Sequence, residues 1–308
     1  MGGSRASVDR SSLIHVAVTA DPPETDRLDR RFKLLGEIDI AHQVGLEFGP
    51  LNHPLVRREE GDIRYVDVSS TEELRKGTSE FGAYRREDFV EIDYVWSRGN
   101  FREAIGSDIE FDYALASHVI EHTPNMVAWL NDMLSVLKVG GLACFAVPDK
   151  RYTFDIMRAV TPPAIVIDNY LRQEAMPRAH HIFDHYSQVV KITGEEVALA
   201  WEKKLDPTTL PRYHDDQVAF DLAKHAESTG NYVEGHMYVF TPRSMLRILE
   251  TVIRLGILRA EIHEFWDTAW GSFEFIFILR KPAGDTSPEE LKTAVATRAA
   301  EIYLTLRD

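Results

Sequence analysis

Short apolar runs alternate with amphipathic stretches through the first half of the chain. Residues 26–40 are mixed-charge and read as a helix. Val44, Leu46 and Phe48 mark a strand with Glu47 at its carboxyl end, and residues 63–66 mark a second that stops at Asp67. Ser69 or Ser70, followed by Glu72 and Glu73, reads as a helix start, a hydroxyl cap with acids in the first turn. Residues 89–95 read as a third strand or its approach, with Asp93 at its end, and residues 111–117 as a fourth. Met126, Trp129, Leu130, Met133, Leu134 and Leu137 recur at helical spacing over 125–138, and Gly140-Gly141 is the expected stop. Residues 142–147 are wholly apolar, as a central parallel strand should be. This alternation predicts an α/β fold with a doubly wound, mostly parallel sheet.

The rhythm breaks after residue 150. Residues 186–205 and 215–228 read as helices, and Thr241-Pro242 caps another that runs to Gly256. Residues 258–265 form a sixth strand, and 273–279 a seventh that alternates well enough to be antiparallel. Ser287-Pro288-Glu289-Glu290 opens a last helix with Leu291, Val295, Ile302 and Leu306 on one face. That face has two uses, docking on the core or pairing with a second copy as a homodimer. Residues 1–30 read as a polar tail, with 12–20 available as a short edge strand. No internal repeat is present.

The loop after the first strand is informative by what it lacks. Gly49 permits a sharp turn or a close approach to a ligand, and Pro50 gives up an N–H. A dinucleotide loop needs Gly-x-Gly-x-x-Gly, and a P-loop needs Gly-Lys-Ser/Thr. Neither is present, so a nucleoside ligand without phosphates suits the site better. Asp67 lies 18 residues beyond Gly49, the approximate spacing at which an acid takes ribose hydroxyls in open α/β sheets. S-adenosylmethionine satisfies both conditions. The plainer alternative is a strand–turn–strand whose acids only cap loops.

Composition narrows the field. A chain of 308 residues at 44% hydrophobic content buries a substantial core. The net charge of −14 disfavours nucleic acid and anionic membrane surfaces. One cysteine, Cys144, excludes an internal disulfide and a cysteine-based zinc cluster. With no apolar stretch of 18 or more residues and no signal-peptide core, a soluble cytoplasmic protein is expected.

Four segments together carry a resemblance: Leu46-Glu47-Phe48-Gly49-Pro50; Tyr65-Val66-Asp67; residues 111–122, ending Ser117-His118-Val119-Ile120-Glu121-His122; and Leu137-Lys138-Val139-Gly140-Gly141-Leu142. Over roughly residues 40–150 the chain resembles the class I S-adenosylmethionine-dependent methyltransferases. The first loop departs from that family's Glu-x-Gly-x-Gly-x-Gly, with Pro50 and Asn52 in place of glycines. The resemblance implies a seven-stranded Rossmann-like sheet closed by a late antiparallel strand. It divides the chain into a tail (1–30), a cofactor-binding core (31–150 and 239–283), a mainly helical insertion after the fifth strand (151–238) and a C-terminal helix (284–308). It further implies that Glu47, Gly49 and Pro50 line the methionine end of the cofactor. Asp67 would hold the ribose, Asp93 and Tyr94 the adenine, and Ser117 and His118 would close the pocket under the sulfonium.

Methyl transfer to an oxygen needs alignment and often a base, and a histidine near neutral pKa suits that role. His118 and His122 are therefore the catalytic candidates, against the alternative that one packs under the cofactor and the other caps a helix. Lys150, Arg151 and Tyr152 leave the fifth strand at the same rim, where they contact an anionic substrate group or pair with Asp149 and Asp155. His180, His181, His185 and His236 are expected to contact a polar, hydroxyl-bearing small molecule or glycan. His181 and His185 also stand at i,i+4, a chelating spacing, but no metal is expected. Two rivals remain: a methyltransferase fold that binds without turnover, and an NAD-dependent nucleotide-sugar enzyme, for which the glycine loop is missing.

Overall fold

The computed structural model describes residues 24–77, 88–96, 100–106 and 109–307. Most of the expected N-terminal tail, including the edge strand at 12–20, lies outside these residues. The order of elements is α1 (Glu24–Leu35), β1 (Val44–Phe48), β2 (Asp62–Asp67), α2 (Thr71–Gly77), β3 (Tyr94–Val95), α3 (Phe101–Ile105), β4 (Phe111–Ser117), α4 (Met126–Ser135) and β5 (Leu137–Pro148). Four helices follow: α5 (Pro163–Leu171), α6 (Ala179–Gln188), α7 (Gly194–Trp201) and α8 (Asp216–Thr229). The chain then returns through α9 (Pro242–Arg254), β6 (Glu261–Trp266), β7 (Glu274–Arg280) and α10 (Pro288–Tyr303).

The sheet has seven strands in the order β3-β2-β1-β4-β5-β7-β6. The strands from β3 to β5 are parallel, and β7 is antiparallel to both β5 and β6. The expected doubly wound, Rossmann-like sheet is therefore present. Its central strands carry apolar side chains to both faces, because helices cover each side. One face packs Leu46, Phe48, Phe101, Trp129, Phe145 and Phe277 against the helices. The other packs Ile63, Tyr65, Leu115, Cys144 and Ile278 beneath Leu34 and Leu35 of α1. Fully burying such side chains contributes about 1.5–3 kcal/mol each.

Two boundaries differ from the sequence reading. Gly140 and Gly141 do not stop α4, which ends at Ser135; they lie within β5. Gly141 sits where a Cβ would meet the carbonyl oxygens of Asp112 and Lys138 at 2.9 Å, so a tight strand crossing requires it. The third strand is only Tyr94–Val95, and Asp93 precedes it. The last helix uses its apolar face within its own chain: Leu291, Val295, Ala299 and Ile302 are buried in the main core.

The four helices between β5 and α9 build two small cores of their own, one around Ile182, Tyr186, Ala219 and Ala223, the other around Phe154, Val189, Val190 and Leu210. A fully buried guanidinium ties this region together from within. Arg158 donates to Asp155 Oδ1 at 2.7 Å, to Asp184 Oδ2 at 2.8 Å and to the His236 carbonyl at 2.8 Å. A buried charge is tolerated only with such complete pairing.

Candidate active site

Strand register brings the carboxyl ends into line. Phe48 pairs with Val66 and with Ala116, Asp67 with Val95, Ser117 with Ala146, and Pro148 with Glu274. One residue beyond these pairings, Gly49, His118 and Asp149 share a single rim with Asp67, Ser117 and Glu274. In open α/β sheets this rim is where ligands bind.

Gly49 turns the chain off β1 with φ +63°, and its N–H donates to the Val66 carbonyl at 2.9 Å. A Cβ there would meet Val119 Cγ2 at 3.1 Å, so the backbone has both a conformational and a steric need for glycine. Leu51 takes φ 48° and His118 takes φ 54°. Two non-glycine residues in this region, each costing about 1–3 kcal/mol, mark the two turns of the rim as strained.

Glu47 does not face the rim. Its buried carboxylate lies under the loop and accepts the N–H groups of Leu55, at 2.7 Å, and Val56, at 3.3 Å. Burial pushes its pKa up to about 7, more than these two donors and the nearby Arg30 and Arg31 lower it. It therefore shapes the Gly49–Val56 loop from behind. Pro50 is buried in the same loop and its carbonyl accepts the His53 N–H at 3.0 Å. Asp67 stands at the rim, nearly buried, with Oδ1 accepting the Ser69 N–H at 3.2 Å.

Asp93 is a correction. Because it precedes β3 rather than ending it, its carboxylate turns back along β2. There it accepts the Tyr65 N–H at 2.8 Å and the Arg58 guanidinium at 2.7 Å. It staples strands together below the rim. Tyr94 is half-buried and packs against the main core rather than standing free over a ring site.

Ser117 and His118 meet a pair of charges that the sequence reading missed. Arg30, from α1, donates to Ser117 Oγ at 2.7 Å and makes a two-pronged ion pair with Glu274, one contact being Nε to Oε1 and the other 3.3 Å. Glu274 Oε2 also lies 2.7 Å from His118 Nε2. Burial opposes ionisation of Glu274, yet Arg30 and His118 together hold its pKa down to about 2. His118 thus has one ring nitrogen fixed by a carboxylate, while Nδ1 lies 3.7 Å from Glu121 Oε1. A lone acid opening an otherwise apolar strand was the available signal for Glu274; nothing local marked Arg30.

Behind His118, a 3₁₀ turn, Ile120–His122, follows β4. The Glu121 carbonyl accepts the N–H groups of Met237 and Tyr238 at 2.7 and 3.2 Å, which pins the end of the helical region onto this turn. His122 Nδ1 lies 2.6 Å from Glu234 Oε1. Burial opposes protonation of His122, but the charges of Glu234 and Glu121 raise its pKa to about 9. His122 is therefore held inside an acidic cluster instead of facing the rim as His118 does. His236 joins it, with Nδ1 2.5 Å from Asp155 Oδ2 and its ring centroid 4.7 Å from that of His122.

The remaining expected substrate residues separate. Arg151 is committed to Asp149, through contacts of 2.7–3.1 Å, and approaches Asp267 at 3.4 Å. Tyr152 stacks on Trp201 with ring centroids 3.9 Å apart. Both serve packing. Lys150 is half-buried, and burial lowers its pKa. His185 is buried and its Nδ1 accepts the His236 N–H at 3.3 Å; burial first, then Arg158, pushes its pKa well down. His181 is buried too, and burial brings its pKa to about 3. His180 is exposed, its ring 3.9 Å from that of His181. The i,i+4 pair His181 and His185 forms no chelating group with a third donor among the described residues.

No protein-family model matches the sequence, and no curated protein matches it. Solved structures with a related chain path include the CurJ carbon methyltransferase, at 10% identity and TM-score 0.38, covering 80% of this chain and 50% of that one. They include a Mesorhizobium loti S-adenosylmethionine-dependent methyltransferase, at 12% identity and TM-score 0.40 over 82% and 96% of the two chains. They also include a Listeria monocytogenes protein described as a putative S-adenosylmethionine-dependent methyltransferase, at 12% identity and TM-score 0.39 over 84% and 99%. The chain spans half the length of the first of these. No helix among the described residues is long and apolar enough to cross a membrane.

Proposed function

We propose that this protein is an S-adenosylmethionine-dependent methyltransferase that acts on an oxygen of a small polar molecule or glycan. The observation that carries this reading is the rim itself: a left-handed glycine turn, an acid and a strained histidine at the ends of β1, β2 and β4, in register, in a β3-β2-β1-β4-β5-β7-β6 sheet. The residues fit the cofactor in one respect that can be checked on the backbone. Gly49 leaves open a surface that any Cβ would close against Val119. The resemblance of residues 40–150 to class I methyltransferases points the same way.

The cofactor supplies an electrophilic methyl group on a sulfonium. Asp67 binds the ribose hydroxyls, and Glu47 holds the turn around Gly49 from below. His118 is the base: Glu274 fixes Nε2, and Nδ1 takes the proton from the attacking hydroxyl. Positioning of this kind supplies much of the barrier reduction in a displacement that needs three atoms in line. Asp67 at the rim also favours a cationic ligand over a pyrophosphate.

Calorimetric titration tests the reading. Micromolar binding of S-adenosylmethionine and of its demethylated product, with none of NAD⁺, is the expected result. Binding of NAD⁺ in their place overturns it. Tight binding without turnover on any hydroxylated acceptor favours the non-catalytic alternative, for which the single-glycine loop with Pro50 and Leu51 is the supporting feature.

A further inference from the structure

Glu121 is fully buried, and neither carboxylate oxygen has a hydrogen-bond partner among the described residues. Burying a carboxylate without hydrogen bonds costs several kcal/mol. Its surroundings supply the missing element in an unusual form. Glu121, His122 and His236 each present one donor atom, and the three lie within 4.8 Å of one another. His122 Nε2 is 3.9 Å from Glu121 Oε1. We propose that these three residues bind a first-row divalent cation, with Zn²⁺ as the reference ion.

Two carboxylates outside the trio support this assignment. Glu234 holds His122 Nδ1 at 2.6 Å, and Asp155 holds His236 Nδ1 at 2.5 Å. Each bond orients a ring and leaves Nε2 to ligate, the arrangement that accompanies histidine ligands of metals. Asp155 is itself fixed by Arg158 at 2.7 Å, and the Glu121 carbonyl anchors residues 237 and 238. Both imidazoles are thus held from behind by carboxylates. A tetrahedral ion with bonds of about 2.0–2.1 Å needs donors roughly 3.3 Å apart, a closure of well under an ångström for the Glu121–His122 pair. Two imidazoles and one carboxylate suit Zn²⁺, Mn²⁺ or Fe²⁺ better than Mg²⁺ or Ca²⁺, which prefer oxygen. Three protein ligands leave a position open to water or a substrate oxygen. His118 Nδ1, 3.7 Å from Glu121, connects this site to the rim.

A second group, Glu37, His263 and Glu264, has one exposed and two half-buried members and is paired throughout. His263 Nε2 contacts Glu37 at 2.7 Å and Arg280 at 3.0 Å, and Glu264 takes Arg298 at 3.1 Å. It serves as the control.

The test uses tag-free protein, stripped with a chelator and titrated with Zn²⁺, and with Co²⁺ for its visible spectrum, in the absence of any methyl donor. The expected result is one equivalent bound, a rise in Tm, and Co²⁺ absorption bands of low coordination number. Glu121→Gln and His236→Gln should weaken the affinity at least as much as a lost supporting carboxylate does, roughly 10- to 100-fold, and Glu234→Gln should weaken it within that range. His263→Gln should leave it unchanged. Metal-free Glu121→Gln keeps the size and shape of the buried side chain and removes a carboxylate that makes no hydrogen bond, so it should remain folded, which keeps a variant in hand. Absence of a stoichiometric ion in wild type overturns the proposal. So does unchanged affinity in folded Glu121→Gln, or loss that follows His263→Gln. None of these readouts requires the methyltransferase reading to hold.

Discussion

Glu274 and His118 lie 156 positions apart in the chain, yet Glu274 Oε2 is 2.7 Å from His118 Nε2. The contact joins the turn after β4 to the first residue of the antiparallel strand β7. It gives the histidine at the strained φ of 54° a fixed ring orientation. A base needs geometry first and a suitable pKa second. This pair supplies the geometry.

Replacing His118 with Gln should therefore lower kcat by about 10²–10⁴-fold, the usual worth of a positioned base. Affinity for S-adenosylmethionine should stay within a few-fold, measured by calorimetry on the same preparation. A variant with unimpaired turnover would remove His118 from the chemistry.

Glu274→Gln should act on both stability and pH dependence. The folded-state pKa is depressed to about 2, so ionised Glu274 contributes stability that is present above about pH 4.5 and is lost as pH falls through 2. The variant should unfold about 2–3 kcal/mol more easily at pH 7, since Arg30 loses its charge partner but keeps some access to water. Denaturant titrations at pH 7 and pH 3 should show the gap between variant and wild type narrowing at the lower pH. A gap of constant size would mean that packing, not charge, sets the effect.

Glu47 has the opposite sign. Burial raises its folded-state pKa to about 7, so stability from this site is fully present below about pH 4.5 and declines as pH rises through 7. The full shift corresponds to about 3 kcal/mol. Glu47→Gln should flatten the pH–stability curve between pH 4.5 and 7. A thermal-unfolding series across that range decides the matter, and an unaltered slope would contradict the assignment.

Asp67→Ala should weaken S-adenosylmethionine binding by about 100-fold or more. Two charge-assisted hydrogen bonds at roughly 1.5–3 kcal/mol each set that scale. Unchanged affinity would move the ribose elsewhere on the rim. The isosteric Asp67→Asn should retain part of the binding, because the amide oxygen still accepts.

Much of the fold was legible because it rests on local periodicity. The strands at 44–48, 62–67 and 111–117 announce themselves by apolar runs, and α4 by its spacing of large side chains. Gly49 and Asp67 stand out as the residues at the ends of the first two strands, whereas Ser117 and His118 as pocket residues rest on the resemblance alone. The third strand misled because only two residues pair there, so Asp93 was set at its end when it precedes it. Gly140-Gly141 misled for a related reason: a glycine pair signals a break, and only the packing of β5 against the Asp112 carbonyl shows why it belongs inside a strand.

The sequence by itself determined which segments are buried on both faces and which turns leave them, since side-chain periodicity and glycine placement are properties of neighbouring residues. Tertiary structure alone decided which charges meet. Arg30 reaches Glu274 across 244 positions, and Glu121, His122 and His236 gather from a 3₁₀ turn and the far end of a helical region. No local pattern records such meetings, because the energy of an ion pair or a ligand set depends on distances in space that only the closed sheet and its packed helices define.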